Sequence, residues 1–373
     1  MKMNLLHTPE GVRDIYGDEC ARKIWVEDAV RKQFSLYGYE EIQTPTFEYF
    51  DVFSREIGTT PSKDLFKMID GEGNTLALRP DFTPSMARCA AKYFNAGKEP
   101  LRLCYQGNTY TNTLSLQGKL KEITEMGVEL IGDDSIFAEA EMIALVIESI
   151  LTTGLEEFKI SIGQVEYFKG MCEAAGINEE TELLLRDFIS GKNIFGAEDL
   201  LKNKGVDEIK CGRLIQITDL FGGLDVLQKA KTQADNSRSS NAIARLCSLY
   251  EVLCHYRVEK YVAFDLGMLS KYNYYTGIIF KCFAYGVGDV IAKGGRYDNL
   301  IAKFGKPSPA VGFGLVIDDL LAALTRQKVE IKLDNVATIY YNEDNFQDAL
   351  AEARIMRKEG QKVILTEVEL NEQ

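Results

Sequence analysis

The sequence predicts an α+β fold in which a mainly antiparallel sheet is flanked by helices. Several segments alternate apolar and polar residues with the period of two that is typical of half-buried strands. Short turns join many of these strands, and such connections produce antiparallel pairs. Helical stripes of apolar residues separate the hairpins, so that helices can cover the sheet. The 373 residues, 46% of them hydrophobic, are sufficient for a large core.

The first hundred or so residues are predicted to form short strands between two helices. The predicted elements are a helix over 18–37, strand-like residues over 42–53, strands over 65–68 and 75–78, and a helix over 85–94. Ile24, Val30 and Phe34 supply the helical spacing of the first element. Pro45 cannot donate a ladder hydrogen bond, so it predicts an edge strand or a break.

A hairpin over residues 101–132 is the most informative stretch of the sequence. Alternation from Leu101 to Gln106 predicts a strand with one buried face. Residues 107–118 are rich in Gly, Asn, Thr, Ser and Gln, which predicts a loop. Glu125 and Glu129 follow on the return strand. Carboxylates beside a polar loop suit a binding surface, although an ordinary surface hairpin would look the same.

The remainder alternates short strands with helices around a long helical insertion. Ser135 is a predicted N-cap, and the helix that it begins should end at Gly154. The later elements are a strand over 158–162, a helical insertion over 167–256, strands over 262–266, 274–283, 290–293 and 310–316, a helix over 318–325, and a strand, helix and strand over 336–341, 345–358 and 362–365. We therefore predict one domain over 1–325 and a short segment over 326–373.

Composition and missing motifs exclude several classes of function. The net charge of −13 argues against non-specific binding of nucleic acid. Eight scattered cysteines and two histidines offer no zinc-ligand spacing and favour thiols in a reducing compartment. Gly312-Phe313-Gly314 lacks the third glycine of a dinucleotide fingerprint. With no apolar run of ~20 residues and no visible signal peptide, we expect a cytoplasmic protein that has no membrane span, bound metal or cofactor.

A series of short motifs occurs in a fixed order between residues 7 and 325. They are Pro9-Glu10-Gly11-Val12-Arg13-Asp14, Thr44-Pro45-Thr46-Phe47-Glu48, Leu78-Arg79-Pro80-Asp81-Phe82-Thr83, the stretch 105–132, Asn273-Tyr274-Tyr275-Thr276-Gly277, Gly294-Gly295-Arg296-Tyr297-Asp298 and the stretch 310–320. This ordered set resembles the core of class II aminoacyl-tRNA synthetases, and specifically the histidyl-tRNA synthetase family. The resemblance implies a class II antiparallel sheet and a dimer formed through the segment that begins at Thr44.

The sequence departs from this family where the family binds ATP. Synthetases of this class use arginines to hold ATP and to stabilise the charge that develops on its α-phosphate. The corresponding positions carry Thr111, Ser270 and Asp319, and Thr113 and Asn273 replace family carboxylates. The loss of one such donor typically costs ~3–4 kcal/mol of transition-state stabilisation. We therefore expect no adenylate-forming activity.

The amino-acid end of the family's site is better preserved. The resemblance implies a histidine pocket that is lined by Asp81, Thr83, Glu125, Glu129, Tyr275 and Tyr297. Asp81 would pair with the ammonium group of the ligand, whereas Glu125 stands where the family has glutamine. Alternatively, Asp81 pairs with Arg79 or a helix terminus, and the two tyrosines are core aromatics.

A synthetase core without its ATP arginines resembles the regulatory subunits of ATP phosphoribosyltransferase. That resemblance implies a non-catalytic chain that pairs with itself and with the short-form catalytic subunit of a glycosyltransferase. It also implies L-histidine as a feedback effector, and no tRNA partner, because residues 336–365 resemble only the start of an anticodon-binding domain. An active histidyl-tRNA synthetase, and a paralogue that binds an amino acid or RNA, are the alternatives.

Overall fold

The computed structural model describes residues 6–53, 60–94, 99–112, 119–269 and 274–368. Within these ranges the helices are α1 Gly17–Leu36, α2 Thr83–Tyr93, α3 Ile136–Thr152, α4 Val165–Ala174, α5 Glu179–Ser190, α6 Ile194–Asn203, α7 Glu208–Gln216, α8 Leu224–Gln233, α9 Ser237–Tyr256, α10 Ile317–Arg326 and α11 Phe346–Lys358. The strands are β1 Glu40–Glu41, β2 Phe47–Tyr49, β3 Lys67–Ile69, β4 Thr75–Leu78, β5 Leu101–Tyr110, β6 Glu122–Ile131, β7 Phe158–Gln164, β8 Phe221–Gly222, β9 Val262–Asp265, β10 Ile278–Ala284, β11 Ala292–Arg296, β12 Ala310–Val316, β13 Val336–Tyr341 and β14 Lys362–Glu367.

Nine of the described strands form one sheet in the order β1-β5-β6-β12-β11-β10-β7-β9-β8. Only the β1–β5 and β7–β9 pairs in it are parallel. The described strands β2, β4 and β3 form a second, antiparallel sheet. The predicted α+β class, with a mainly antiparallel sheet and flanking helices, is therefore confirmed.

The hairpin of β5 and β6 is longer than the sequence predicted. Its register runs from Leu101 opposite Ile131 to Tyr110 opposite Glu122, so the strand continues past the expected loop start at residue 107. Leu103, Cys104 and Tyr105 are all buried, so β5 has two buried faces and not one. Both faces of the sheet are covered here: residues around α2 pack against Tyr105, and Phe34 of α1 packs edge-on against Phe313 of β12.

The segment over 42–53 was predicted as strand-like, and that prediction is wrong for most of its length. Only β2 is a strand there, and a 3-10 helix follows at Phe50–Phe53. The predicted hairpin of β3 and β4 is confirmed. Its turn depends on Asp70, whose Oδ1 accepts hydrogen bonds from the backbone of Glu72 at 2.9 Å and of Asn74 at 2.8 Å.

The helical insertion comprises α4 to α9 and begins at Val165, close to the predicted start. It also contributes β8, which pairs antiparallel with β9 and was not predicted. The N-cap at Ser135 is confirmed, since its Oγ accepts from the backbone of Ala138 at 3.2 Å.

The chain folds into two compact units. One contains residues 1–15 and 23–329, and the other contains residues 16–22 and 330–373. In the second unit β13 and β14 pair in parallel, and α11 buries Ala349 and Ala353. The predicted strand-helix-strand segment is confirmed, whereas the predicted domain limits at 325 and 326 stay a prediction.

The described residues contain neither a membrane-spanning helix nor a cluster of metal ligands. No described helix is both long enough and apolar enough to cross a bilayer. No group of three or more metal-ligating side chains comes together within the described ranges. All eight cysteines lie in these ranges, and each is a free thiol.

A buried ion cluster connects the main sheet with α3 and α9. Glu139 of α3 is fully buried and accepts from Arg296 Nε at 2.5 Å and from Arg245 Nη2 at 2.8 Å. Arg296 also donates to the main-chain oxygens of Asp133 at 3.0 Å and Ser135 at 3.2 Å. Removal of one member of a buried pair leaves the other charge uncompensated, which is strongly destabilising.

We therefore expect Glu139→Gln to lower the free energy of unfolding by ~3–5 kcal/mol, measured by denaturant titration. Glu198→Gln is the matched control, because Glu198 forms an exposed pair with Lys202 on α6. Exposed pairs contribute about 0–1 kcal/mol, so this variant should unfold like the wild type. Equal stabilities of the two variants would contradict the structural role of the cluster.

Candidate ligand-binding site

A small cavity with acidic walls lies on one face of the main sheet. The described residues that line it are Asp81, Thr83, Tyr105, Glu125, Tyr274, Tyr275, Lys293, Gly294, Tyr297, Gly312, Phe313 and Gly314. We call it the acidic cavity. Its volume of about 20 Å³ accommodates a water molecule, so a larger ligand would have to displace part of the wall.

Strand register places the glutamates of β6 on the cavity side of the sheet. Glu125 and Glu129 share a face because side chains alternate along a strand. Gly312 of β12 lies opposite Glu129 in the ladder. A Cβ atom at Gly312 would overlap the Glu129 carboxylate, and one at Gly314 would overlap that of Glu125. The two glycines of β12 therefore provide the space that both carboxylates occupy.

Glu129 lies directly behind the wall of the acidic cavity. Its Oε1 accepts from the Thr83 hydroxyl at 3.0 Å, and its Oε2 accepts from the Tyr297 hydroxyl. Burial raises the pKa of Glu129 to about 8, although these two hydrogen bonds oppose the shift. The free site therefore holds this carboxyl largely protonated at neutral pH.

Glu125 belongs to the wall itself. It accepts from the Tyr105 hydroxyl at 3.0 Å, and the Tyr105 ring stacks on Phe82 at 4.2 Å between centroids. Burial raises the pKa of Glu125 to about 7, and the positive charge of Lys293 partly opposes this. Glu125 therefore changes charge close to neutral pH.

Asp81 combines a structural role with a place in the cavity wall. Its Oδ1 accepts from the backbone N–H of Thr83 at 2.9 Å, at the beginning of α2. Arg79 is directed elsewhere, because it donates to the carbonyls of Asn108 at 2.8 Å and Thr44 at 2.9 Å. The predicted alternative of a helix-terminus role is thus correct without excluding Asp81 from the site.

Three tyrosines form the aromatic side of the acidic cavity. Tyr274 lies 4.3 Å from Tyr275 and 6.0 Å from Tyr297, between ring centroids. Burial raises the pKa of all three phenols, so they remain neutral donors at physiological pH. Ser270 and Asn273, singled out in the sequence, lie outside the described residues.

A second cavity of about 420 Å³ adjoins the first. Lys192, Lys281, Lys293 and Asp265 contribute its charged side chains, and we call it the lysine cavity. Tyr275, Lys293 and Gly294 line both cavities.

The resemblance places two described residues, Thr111 and Asp319, at arginine positions of the synthetase family, and Asp318 directly precedes Asp319. Asp318 accepts from Lys23 Nζ at 2.9 Å and from the backbone of Thr124 at 2.6 Å, so it ties α10 to α1 and β6. Burial and two neighbouring aspartates raise the pKa of Asp319 to about 6. Thr111 occupies the second arginine position and donates its N–H to the Lys121 carbonyl at 2.9 Å. Thr113 lies outside the described residues.

Comparison with known proteins finds relatives that match most of this chain. A family model described as histidyl-tRNA synthetase matches residues 11–320. An ATP phosphoribosyltransferase regulatory subunit of Acetivibrio thermocellus is 42% identical over 98% of this chain and 87% of its own length. A protein of the same name from Clostridium kluyveri is 40% identical over 95% of this chain and 91% of its own.

The chain belongs to the family of ATP phosphoribosyltransferase regulatory subunits. A solved structure from Bacillus halodurans C, described as a regulatory subunit of this family and a histidyl-tRNA synthetase, superimposes with a TM-score of 0.90 at 34% identity. The match covers 100% of this chain and 95% of that one. Histidyl-tRNA synthetase from Nostoc sp. PCC 7120 shares the fold, with a TM-score of 0.82 at 20% identity over 98% of this chain and 86% of that one.

The structure brings together the residues that the sequence singled out for this member of the regulatory-subunit family. Asp81, Thr83, Glu125, Tyr275 and Tyr297 line the acidic cavity, and Glu129 contacts two of them from behind. Sequence reasoning missed Tyr105, Tyr274 and Lys293. Lys293 directly precedes the Gly294-Gly295 motif on β11, and that position was the available signal.

We expect Glu129→Gln to flatten the pH dependence of stability. The folded-state pKa of Glu129 is raised from 4.5 to about 8, so its contribution is fully present below pH 4.5 and is lost as pH rises to about 8. Glutamine does not titrate. The variant should therefore lose less stability than the wild type between these limits, as measured by denaturant titrations across the range.

Glu251→Gln on α9 is the control, because the Glu251 side chain is exposed and solvated in both states. Its stability should follow the wild-type pH curve. A Glu129→Gln variant that also follows the wild-type curve would show that the buried carboxyl carries no extra proton.

Proposed function

We propose that this chain is the non-catalytic regulatory subunit of an ATP phosphoribosyltransferase in the cytoplasm. Its partner would be the short-form catalytic subunit, which performs the first step of histidine biosynthesis. The names of the relatives support the partner. The chain would be required for the activity of that subunit and would carry feedback by histidine.

The observation that carries this proposal is the contrast between two ends of one site. The acidic cavity is lined by the buried carboxyl groups of Asp81 and Glu125 and by the buried phenols of Tyr105 and Tyr297. At the ATP corner the resemblance places Asp319 where the family has an arginine, and Asp318 adds a second carboxylate beside it. Carboxylates repel a triphosphate, and synthetases of this class depend on positive charge to stabilise the reacting phosphorus. Such a frame can bind an amino acid without activating it.

Histidine is the effector that the cavity suits best. Its ammonium group is a cation that Asp81 and Glu125 can accept, and its imidazole can bond with the pair of Glu129 and Tyr297. A ligand shifts an assembly only by its different affinity for the active and inhibited states. A coupling of ~1–3 kcal/mol between the sites would give useful feedback.

The proposed assembly contains a class II-type dimer that associates further with catalytic subunits. Residues 1–325 would form the synthetase-like domain and residues 326–373 an α/β segment related to the start of an anticodon-binding domain. The net charge of −13 favours an assembly without tRNA. An active histidyl-tRNA synthetase is the rival, and the family match over residues 11–320 keeps it open to experiment.

Reconstitution with a short-form catalytic subunit tests the proposal directly. We expect phosphoribosyl transfer only when both chains are present, and we expect it to fall as histidine is added. Each chain alone is the control. The same purified chain is then assayed for histidine-dependent exchange of pyrophosphate into ATP, where no exchange is expected. Exchange at a synthetase-like rate, or no activation of the catalytic subunit, would overturn the proposal.

Asp81→Asn should weaken histidine binding by roughly ten- to hundredfold, because hydrogen bonds to charged groups contribute ~1.5–3 kcal/mol. Calorimetric titration of the purified chain measures the affinity. Asp187→Asn on α5 is the matched control, since that side chain is exposed and is not among the described residues that line the acidic cavity. An Asp81 variant with wild-type affinity would place the ligand elsewhere.

A further inference from the structure

Lys293 lies between the acidic cavity and the lysine cavity. It is the one basic side chain among the described residues that line the acidic cavity, and it lines the lysine cavity as well. In the sheet it lies opposite Gly314 on β12 and opposite Lys281 on β10. Gly314 leaves the space that the Glu125 carboxylate occupies on one side of Lys293, and Lys281 extends the positive charge on the other side.

The alternation of β11 directs Lys293 and its neighbours to opposite faces of the sheet. Lys293 and Gly295 share the cavity face, and Tyr297 follows them into the cavity wall. Arg296 belongs to the other face, where it pairs with Glu139. Lys293 is close enough to Glu125 to lower the pKa of that carboxyl. The ammonium group of Lys293 therefore lies at the boundary between negative and positive walls.

This boundary determines which charge pattern a ligand should have. A cavity that held carboxylates alone would bind a simple amine more tightly than the matching amino acid, because it would repel the α-carboxylate. A cation at the rim reverses that preference, since it pairs with the carboxylate while the acidic wall holds the ammonium group. Lys281 lies directly opposite Lys293 on the same face of the sheet, so a carboxylate bound there would meet two positive charges.

We propose that Lys293 binds the α-carboxylate of the amino acid that occupies the acidic cavity, and so makes the site select amino acids over the corresponding amines. The inference rests on the proposed binding of histidine and adds a residue that determines its specificity. The ligand would lie with its carboxylate toward the lysine cavity, where Lys281 supplies further positive charge.

Calorimetric titration with histidine and with histamine, which lacks the carboxylate, tests this assignment. The wild type should prefer histidine. Lys293→Met should lose roughly ten- to hundredfold of its affinity for histidine and little of its affinity for histamine, so the preference should disappear or reverse. Lys293→Arg should restore it. Lys229→Met, which changes an exposed lysine of α8 that is paired with Asp225, is the control and should keep the preference of the wild type.

The titration results for Lys293→Met and for the wild type distinguish a failure of the Lys293 assignment from a failure of the proposed function. Equal losses for both ligands in Lys293→Met would indicate a general disturbance and overturn the carboxylate assignment while leaving histidine binding in place. An unchanged preference in that variant would overturn it as well. A wild-type chain that binds neither ligand would remove the proposed effector and this inference together. Circular dichroism and a denaturant titration of Lys293→Met establish that the variant folds before its affinities are compared with those of the wild type.

Discussion

The candidate site depends on the space that two glycines, Gly312 and Gly314, leave for two buried glutamates. Glu125 and Glu129 point from β6 into a face where only glycine on the neighbouring strand leaves room for them. Gly312 and Gly314 supply that room. Buried carboxyls are costly to ionise, so tyrosine and threonine hydroxyls must bond them. The position of Tyr105, Tyr297 and the start of α2 follows from this requirement.

Carboxylates have different roles at the two ends of the synthetase-like site. On one side, buried carboxylates and phenols form a compact wall that suits a small cation. On the other, Asp318 is engaged with Lys23 and the backbone of Thr124, so it serves as a structural brace. The contacts of Asp318 fix the first turn of α10 without a bound nucleotide. These contacts thus hold α10 against α1 and β6.

The sequence predicted the strands and helices whose residues show strong periodicity. It did not predict features that depend on tertiary packing, or very short elements. Ile24 was one of the residues whose spacing predicted α1, yet it is 51% exposed, whereas Val26 is buried. The two-residue strand β8 has no pattern to detect. The pocket residues were predicted from the resemblance to a family. A resemblance predicts only those positions that match the family's motifs. Lys293 was missed because its role depends on register with β10 and β12, and a single chain pattern does not reveal register.

The raised pKa values of Glu125 and Glu129 have a thermodynamic consequence for any cation that enters the cavity. A bound positive charge favours the ionised carboxylates, so association expels protons into the medium. The observed heat would then vary with the ionisation enthalpy of the buffer. The occupied fraction of the site would also fall at lower pH. It would therefore depend on both the ligand concentration and the pH.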